Sequence, residues 1–321
     1  MRPLISILIP CYNAERWIAQ AIESALTQTW QEKEVIVVDD GSTDRSLDVI
    51  RQFDGRIRWE TGPNRGGGAA RNRLLDMARG EWLQYLDADD YLRPQKLQVQ
   101  IASALAHPDC SVIYSPTAWE HIERGRLICT DEMIPEPCDP WLLLARWRLP
   151  QTGGTLWRKD ALQRVGGWRI GQPCCQEHEL YFRLLEAGIR FEHCPGCLAV
   201  YRDWDHGVRV TRKSPAEVDR QRLIIMDRIE YHLRERHELT APRHQAINDM
   251  RHMIARAVWG SDRQWAQDIE HRIRESDPNF CPGRELPSAR LYSIAYRILG
   301  FRGAQEIASW KHALVSLHSR N

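Results

Sequence analysis

Two hydrophobic periods alternate along the first third of the chain. Leu4-Ile-Ser-Ile-Leu-Ile9 is a short, nearly continuous apolar run that predicts a buried strand, and the turn-forming Pro10-Cys-Tyr-Asn13 ends it. A helical stripe follows from about Ala14, with Trp17, Ile18, Ala21, Ile22, Ala25 and Leu26 on one face. Glu34-Val-Ile-Val-Val38 reads as a second buried strand, halted by Asp39-Asp40-Gly41. Ser42 or Thr43 is placed to cap a helix carrying Leu47, Val49 and Ile50. Ile57 to Glu60 is a weaker third strand. Asn64 to Gly68 predicts a glycine-rich loop opening a helix through Leu74, Leu75 and Ala78. Trp82-Leu-Gln-Tyr-Leu86 is a fourth strand, closed by Asp87-Ala-Asp-Asp90.

Continuous apolar strands separated by helices imply an α/β fold with a mostly parallel sheet covered by helices on both faces. Ligands of such sheets sit beyond the carboxyl ends of the strands. The polar clusters fall there: Tyr12 and Asn13 after the first strand, Asp39 and Asp40 after the second, Asp87 to Asp90 after the fourth. From about Thr211 the pattern turns helical. Leu223, Ile224, Ile229 and Leu233 suit one helix, and Leu291, Ile294, Ala295, Ile298 and Leu299 another. The predicted boundary lies in the polar stretch Arg209 to Glu217, dividing residues 1–213 from a helical C-terminal region, 214–321.

Composition narrows the function classes. Of 321 residues, 44 are Lys or Arg and 43 Asp or Glu, a formal net charge of +1 that argues against a nucleic-acid binder. No apolar run approaches the ~18–20 residues of a membrane span, and the short N-terminal run lacks a cleavage site, so a cytoplasmic protein is expected. Nine cysteines in so long a chain point to reduced thiols. Cys194 and Cys197 have the spacing of half a zinc site, with Cys174, Cys175 or His193 as further ligands, but Pro195-Gly196 between them reads equally as a turn.

Asp87 and Asp89 can address one point if the strand end stays extended. Two hard oxygen donors without a full cage suit Mg²⁺ or Mn²⁺ shared with substrate phosphates. Asn64, Gly66, Gly67, Gly68 and Arg71 follow one another at a loop-to-helix junction, a plausible cradle for a diphosphate. The stretch has neither the Lys-Ser/Thr ending of a P-loop nor the glycine spacing of a dinucleotide fingerprint. Tyr12 can stack on a base and Asp40 can accept a hydrogen bond from one. Glu177 and Glu179 open a later amphipathic helix, where either is a candidate general base or a simple dipole partner. His178 between them lacks the second histidine, four residues along a helix, of a zinc protease.

These motifs, in this order, resemble family 2 glycosyltransferases of the GT-A fold over roughly the first two-thirds of the chain. The resemblance rests on Pro10-Cys-Tyr-Asn13, Val37 to Asp44, Asn64-x-Gly66 with Ala70-Arg-Asn72, and Tyr85-Leu-Asp-Ala-Asp-Asp90. Arg158-Lys-Asp-Ala-Leu162, Gly166-Gly-Trp168 and Tyr201-Arg202 continue it. It implies a nucleotide-sugar-binding half at about 1–107 and an acceptor half at about 108–213. Pro10, Tyr12 and Asp40 would then contact the base, Asp87 the ribose side and the metal, Asp89 the metal, and Arg71 the diphosphate. Glu177 takes the position of the family's catalytic base. Gln176-Glu177 replaces the usual Glu-Asp pair, and Trp204, with His206 beyond it, stands where many members carry His.

The resulting expectation is an inverting, metal-dependent transfer from a UDP-, dTDP- or GDP-sugar to a glycan or lipid-linked acceptor in polysaccharide or envelope glycan synthesis. The rivals are an inactive nucleotide-sugar binder and a sugar nucleotidyltransferase. The latter usually has a basic glycine-rich loop where Pro10-Cys-Tyr-Asn13 stands. From Pro287 onward the chain carries five Lys or Arg and one Asp or Glu, with Tyr292, Tyr296, Phe301 and Trp310. This tail suits peripheral contact with an anionic inner membrane face or, favoured by the small charge excess, packing on the catalytic domain or a homodimer partner.

Overall fold

The computed structural model describes residues 2–123, 126–134, 139–203, 214–283 and 289–318; side chains at 289–290 and from 310 onward are not described. Trp204, His206 and the side chain of Trp310 therefore lie outside the described residues. The chain divides into two compact units, Met1–Ser214 and Pro215–Asn321.

The first unit is built on β1 (Ile5–Cys11), α1 (Ile18–Leu26), β2 (Lys33–Asp39), α2 (Ser46–Arg51), β3 (Arg58–Thr61), α3 (Gly67–Met77) and β4 (Trp82–Tyr85). It continues with β5 (Tyr91–Leu92), α4 (Lys96–Ala106), β6 (Val112–Tyr114), β7 (Thr117–Glu123), β8 (Arg126–Asp131) and α5 (Pro140–Ala145). β9 (Thr155–Arg158), α6 (Lys159–Arg164), α7 (Gln176–Glu186), β10 (Phe191–His193) and β11 (Ala199–Asp203) complete it.

Among the described residues the main sheet has seven strands in the order β10-β6-β9-β4-β1-β2-β3, and a smaller sheet runs β5-β11-β7-β8. β1 is central because both its faces are apolar: Ile5, Ile7, Leu8 and Ile9 are fully buried, sandwiched between helical layers. β1 pairs in parallel with β2 and β4, and β2 with β3, whereas β9 runs antiparallel between β4 and β6. Cys11 is level with Asp39, and Asp39 with Thr61. The polar runs after β1, β2 and β4 therefore leave the sheet along one edge.

Three local expectations shift. α1 starts at Ile18 rather than Ala14, because the preceding loop is tied sideways: Ala14 N donates to Ser46 Oγ (2.8 Å) and Glu15 N to Asp44 Oδ2 (3.0 Å). Neither Ser42 nor Thr43 caps α2. Asp44 accepts from Ser46 N (2.9 Å) there, while Ser42 Oγ takes the Asn13 N–H (2.9 Å). β3 sits one residue later than Ile57–Glu60.

The second unit consists of α8 (Pro215–Glu235), α9 (Ala241–Val258), α10 (Arg263–Ser276) and α11 (Ala289–His318), the last kinked at Gly300 (φ 69°). Ile225, Met226, Ile229 and Leu233 are buried with Ile247, Ile254, Ile269 and Ile273. Ile224 is exposed, contrary to its place in the predicted stripe. α11 also differs: Leu291, Ile294, Ile298 and Leu299 face outward, and Tyr292 and Tyr296 are buried instead. Those rings surround His252, and the Tyr296 hydroxyl donates to Glu270 Oε1, which favours the aromatic face inward. No described helix is long and apolar enough to cross a membrane.

Candidate active site

Three loops are laced together at the carboxyl edge of the main sheet. Asn13, in a left-handed conformation (φ 51°), accepts the Thr43 N–H at 2.8 Å, joining the loop after β1 to the loop after β2. Asn13 is thus a loop lock, with Tyr12 exposed beside it. Asp39 and Asp40 are both buried, and their tasks differ. Asp39 accepts from Thr61 Oγ1 (2.6 Å), fastening β3, while Asp40 accepts from Arg65 N (2.8 Å) and Gly66 N (2.9 Å).

Asp40 therefore shapes the glycine-rich loop as well as facing the site edge; each carboxylate oxygen retains a second lone pair for a ligand. Gly66 precedes α3 at φ 87°, a conformation glycine adopts without penalty. At Gly67 a Cβ would sit 2.9 Å from Arg71 Nη1, so side-chain-free backbone lets the guanidinium fold back over the helix start. Asn64 is exposed on the same loop.

Arg71 connects this loop to the rest of the site. Its Nη2 donates to Asp87 Oδ1 (2.6 Å) and its Nη1 to Gln176 Oε1 (2.7 Å), a partner 105 residues away in sequence. The guanidinium lies 4.8 Å from the centroid of the Trp168 ring. Burial would lower the Arg71 pKa, but the charges of Asp87 and then Glu177 outweigh it and raise it, so Arg71 is a permanent cation here.

Glu177 follows Gln176 in the first turn of α7. Burial pushes its carboxyl up from the ordinary glutamate value; its backbone hydrogen bond and Arg71 pull the other way, and the Asp87 charge adds to the rise. The result is a carboxylate of strengthened basicity beside a fixed cation. Cys175 before it holds φ 57°, turning the chain into α7. Glu179 is buried in a fork from Arg183 Nε (2.9 and 3.1 Å), so its role is structural.

Asp87 and Asp89 are half-exposed, whereas Ala88 and Asp90 between and after them are buried. The segment is a turn rather than an extended strand end, with Asp90 N donating to Asp87 O at 3.0 Å. Arg202 holds that turn from β11. Its Nη1 donates to Asp89 O (3.0 Å), and its backbone N–H to Asp90 Oδ1 (3.0 Å). Among the described residues no three His, Cys, Asp or Glu group to hold a metal by themselves. Two half-exposed carboxylates with one oxygen committed to Arg71 are the donor set expected where a hard cation takes its remaining ligands from substrate and water.

Cys194 and Cys197 flank a bend at Gly196 (φ 98°), and Cys197 Sγ lies 3.1 Å from Glu132 O. Sequence reasoning missed the contributions of Gln176 and Arg202. Both depend on contacts between segments about 100 residues apart, for which one sequence carries no local signal.

The fold is of the GT-A type. Residues 6–152 match the family described as Glycosyl transferase family 2. The chain is 39% identical over 201 residues to the chondroitin synthase of Escherichia coli, covering 60% of this chain and 28% of that protein. The crystal structure of S. aureus TarS 1–349 in complex with UDP-GlcNAc superposes with a TM-score of 0.64 at 17% identity, over 97% of this chain and 92% of that one. The mannosyltransferase PcManGT from Pyrobaculum calidifontis, in complex with GDP-Man and Mn2+, gives 0.52 at 16% identity, over 100% and 87%. The protein carries a family 2 glycosyltransferase domain on a GT-A fold. It spans less than half the length of the curated relatives it matches at 34–44% identity.

Proposed function

We propose that the chain transfers a sugar, with inversion, from a nucleoside-diphosphate sugar to a hydroxyl of a glycan acceptor. The observation that carries this reading is Arg71, bonded at once to Asp87 at the end of β4 and to Gln176 beside Glu177 at the start of α7. That contact brings a diphosphate-neutralising cation, an acidic turn and a base candidate to one place.

In this reading Pro10, Tyr12 and Asp40 take the nucleotide base, with Asn13 holding their loops. The Asn64–Gly66 backbone and Arg71 face the diphosphate. Asp87 and Asp89 would hold Mn²⁺ or Mg²⁺, which when bound supplies positive charge to the departing diphosphate. Glu177 removes the proton from the acceptor hydroxyl as that oxygen attacks the anomeric carbon opposite the nucleotide. Burial of its carboxyl raises its pKa and leaves it a better proton acceptor than an exposed glutamate, while Arg71 opposes that rise.

Gln176 does not disable this arrangement. Its amide oxygen gives Arg71 the acceptor that a carboxylate would, and its Nε2 is anchored on Gln172 O (2.9 Å). Being neutral, it leaves the Arg71 charge to Asp87 and Glu177. The chondroitin synthase relative supports a polysaccharide or envelope glycan acceptor, and the two solved structures support a UDP- or GDP-sugar donor.

A thermal-shift panel of UDP, GDP, dTDP and CDP, each with and without Mn²⁺, tests the reading. One nucleotide is expected to raise the melting temperature more with the cation than without. A panel in which no nucleotide stabilises the chain would contradict the assignment.

A further inference from the structure

The residues following Glu177 carry an aromatic arrangement that the chemistry above does not use. α5 ends at Ala145, and Trp147, two residues on, holds φ +58°. The left-handed turn closes the helix, with Arg148 N donating to Leu143 O at 2.8 Å. This capping position favours glycine, and a bulky side chain there is disfavoured. Residues kept in such a conformation cluster at functional sites.

The Trp147 ring lies flat on His178, centroids 3.8 Å apart and planes within 5°. His178 is the residue after Glu177 and is buried, whereas Trp147 is half-buried. Arg148 then extends to Glu132, with Nη1 3.7 Å from Oε1. The other Glu132 oxygen accepts from Trp119 Nε1 at 3.2 Å, which fixes the indole orientation. Trp119 pairs with Tyr201 across β7 and β11, ring centroids 4.6 Å apart, both half-buried. The His178–Trp147 stack, one residue along α7 from Glu177, is thus joined through Arg148 and Glu132 to the Trp119–Tyr201 pair.

A pyranose ring offers C–H bonds on its faces and hydroxyls around its rim. Flat aromatic rings match the faces, while a guanidinium and a carboxylate between them match the rim. We propose that Trp147, backed by His178, and Trp119 with Tyr201 form a stacking subsite for an oligosaccharide acceptor, leading to Glu177. The inference rests on the transferase reading and names where its acceptor lies.

Saturation-transfer NMR on the intact chain tests it, with cellotetraose, chitotetraose and unsulfated chondroitin tetrasaccharide as probes and UDP and GDP as controls. At least one tetrasaccharide is expected to receive saturation at its ring C–H protons. W147G, which supplies the residue the cap prefers, is expected to weaken that binding about tenfold or more. Should W147G not fold, W147L and W147F replace it: the aliphatic variant loses the sugar, and the aromatic one keeps it within about threefold. Binding by W147G or W147L equal to that of the natural chain, or none of the three sugars binding, would overturn the subsite. A chain that binds UDP or GDP but no sugar loses this inference alone; one that binds neither loses the transferase reading as well.

Discussion

Glu177 carries the sharpest residue-scale expectations. Glu177→Gln should lower kcat by about 10²–10⁴-fold while nucleotide affinity changes little, since the amide cannot accept the proton; initial rates and equilibrium binding on one preparation check both. The working base is the ionised form, and burial raises its pKa above the ordinary 4.5. The acid limb of the kcat/KM profile should therefore lie above that value. Arg71 pulls the same pKa down, so Arg71→Met should move the limb to higher pH, whereas a residue of purely structural importance would lower the rate without moving it. Stability follows from the same shift. Between the unfolded and folded pKa values the folded chain holds more proton than the unfolded one, so Glu177 costs stability as pH rises through that window. Glu177→Gln should then melt higher than the natural chain at neutral pH, with the gap closing as the medium is acidified below the ordinary glutamate range.

At the scale of elements, the site is set by loops tied to one another rather than by strands alone. Asp40 fixes the start of α3 through Arg65 N and Gly66 N. Asp40→Ala leaves two backbone donors without that acceptor and should destabilise the chain by about 1–3 kcal/mol. It should also weaken nucleotide binding, both readable by melting with and without nucleotide. Much of this layer was legible in the sequence because its signal is local. The runs ending at Ile9, Val38 and Leu86 form central strands because they are apolar on both faces, and the polar clusters after them had to fall at one sheet edge. What was not legible depends on distant pairing. The antiparallel insertion of β9 between β4 and β6 has no mark in Thr155–Arg158 itself. The apolar stripe of α11 misled because it competes with tyrosines that pack around His252. The closure of Asp87–Asp90 into a turn depends on Arg202, which no pattern near the acidic residues reveals.

At the scale of the whole molecule, the second unit has its own electrostatic core. Arg251 Nη2 contacts Asp227 Oδ1 at 2.6 Å and its Nη1 contacts Glu230 Oε2 at 2.5 Å. Burial would raise the Glu230 pKa, but the Ser276 hydroxyl and then Arg251 hold it down to about 2. The folded chain there binds less proton than the unfolded one below the ordinary glutamate range. The stability Glu230 contributes is thus present near neutrality and lost as pH falls toward about 2. Arg251→Met leaves Glu230 with Arg234 and Ser276 and Asp227 with Arg272, so it should cost about 1.5–3 kcal/mol, the scale of a hydrogen bond to a charged group, and should flatten the acid side of the stability curve, seen by denaturant melts across pH. The claim on which the catalytic account stands is a base and a diphosphate site meeting at Arg71. Its most direct measurement is nucleotide release from a panel of UDP-, dTDP- and GDP-sugars with Mn²⁺ and a panel of oligosaccharide acceptors, comparing the natural chain with Glu177→Gln. The account predicts release of a nucleoside diphosphate by the natural chain and its near-complete loss in the variant. Equal release by both proteins, or no release from any donor, would contradict it.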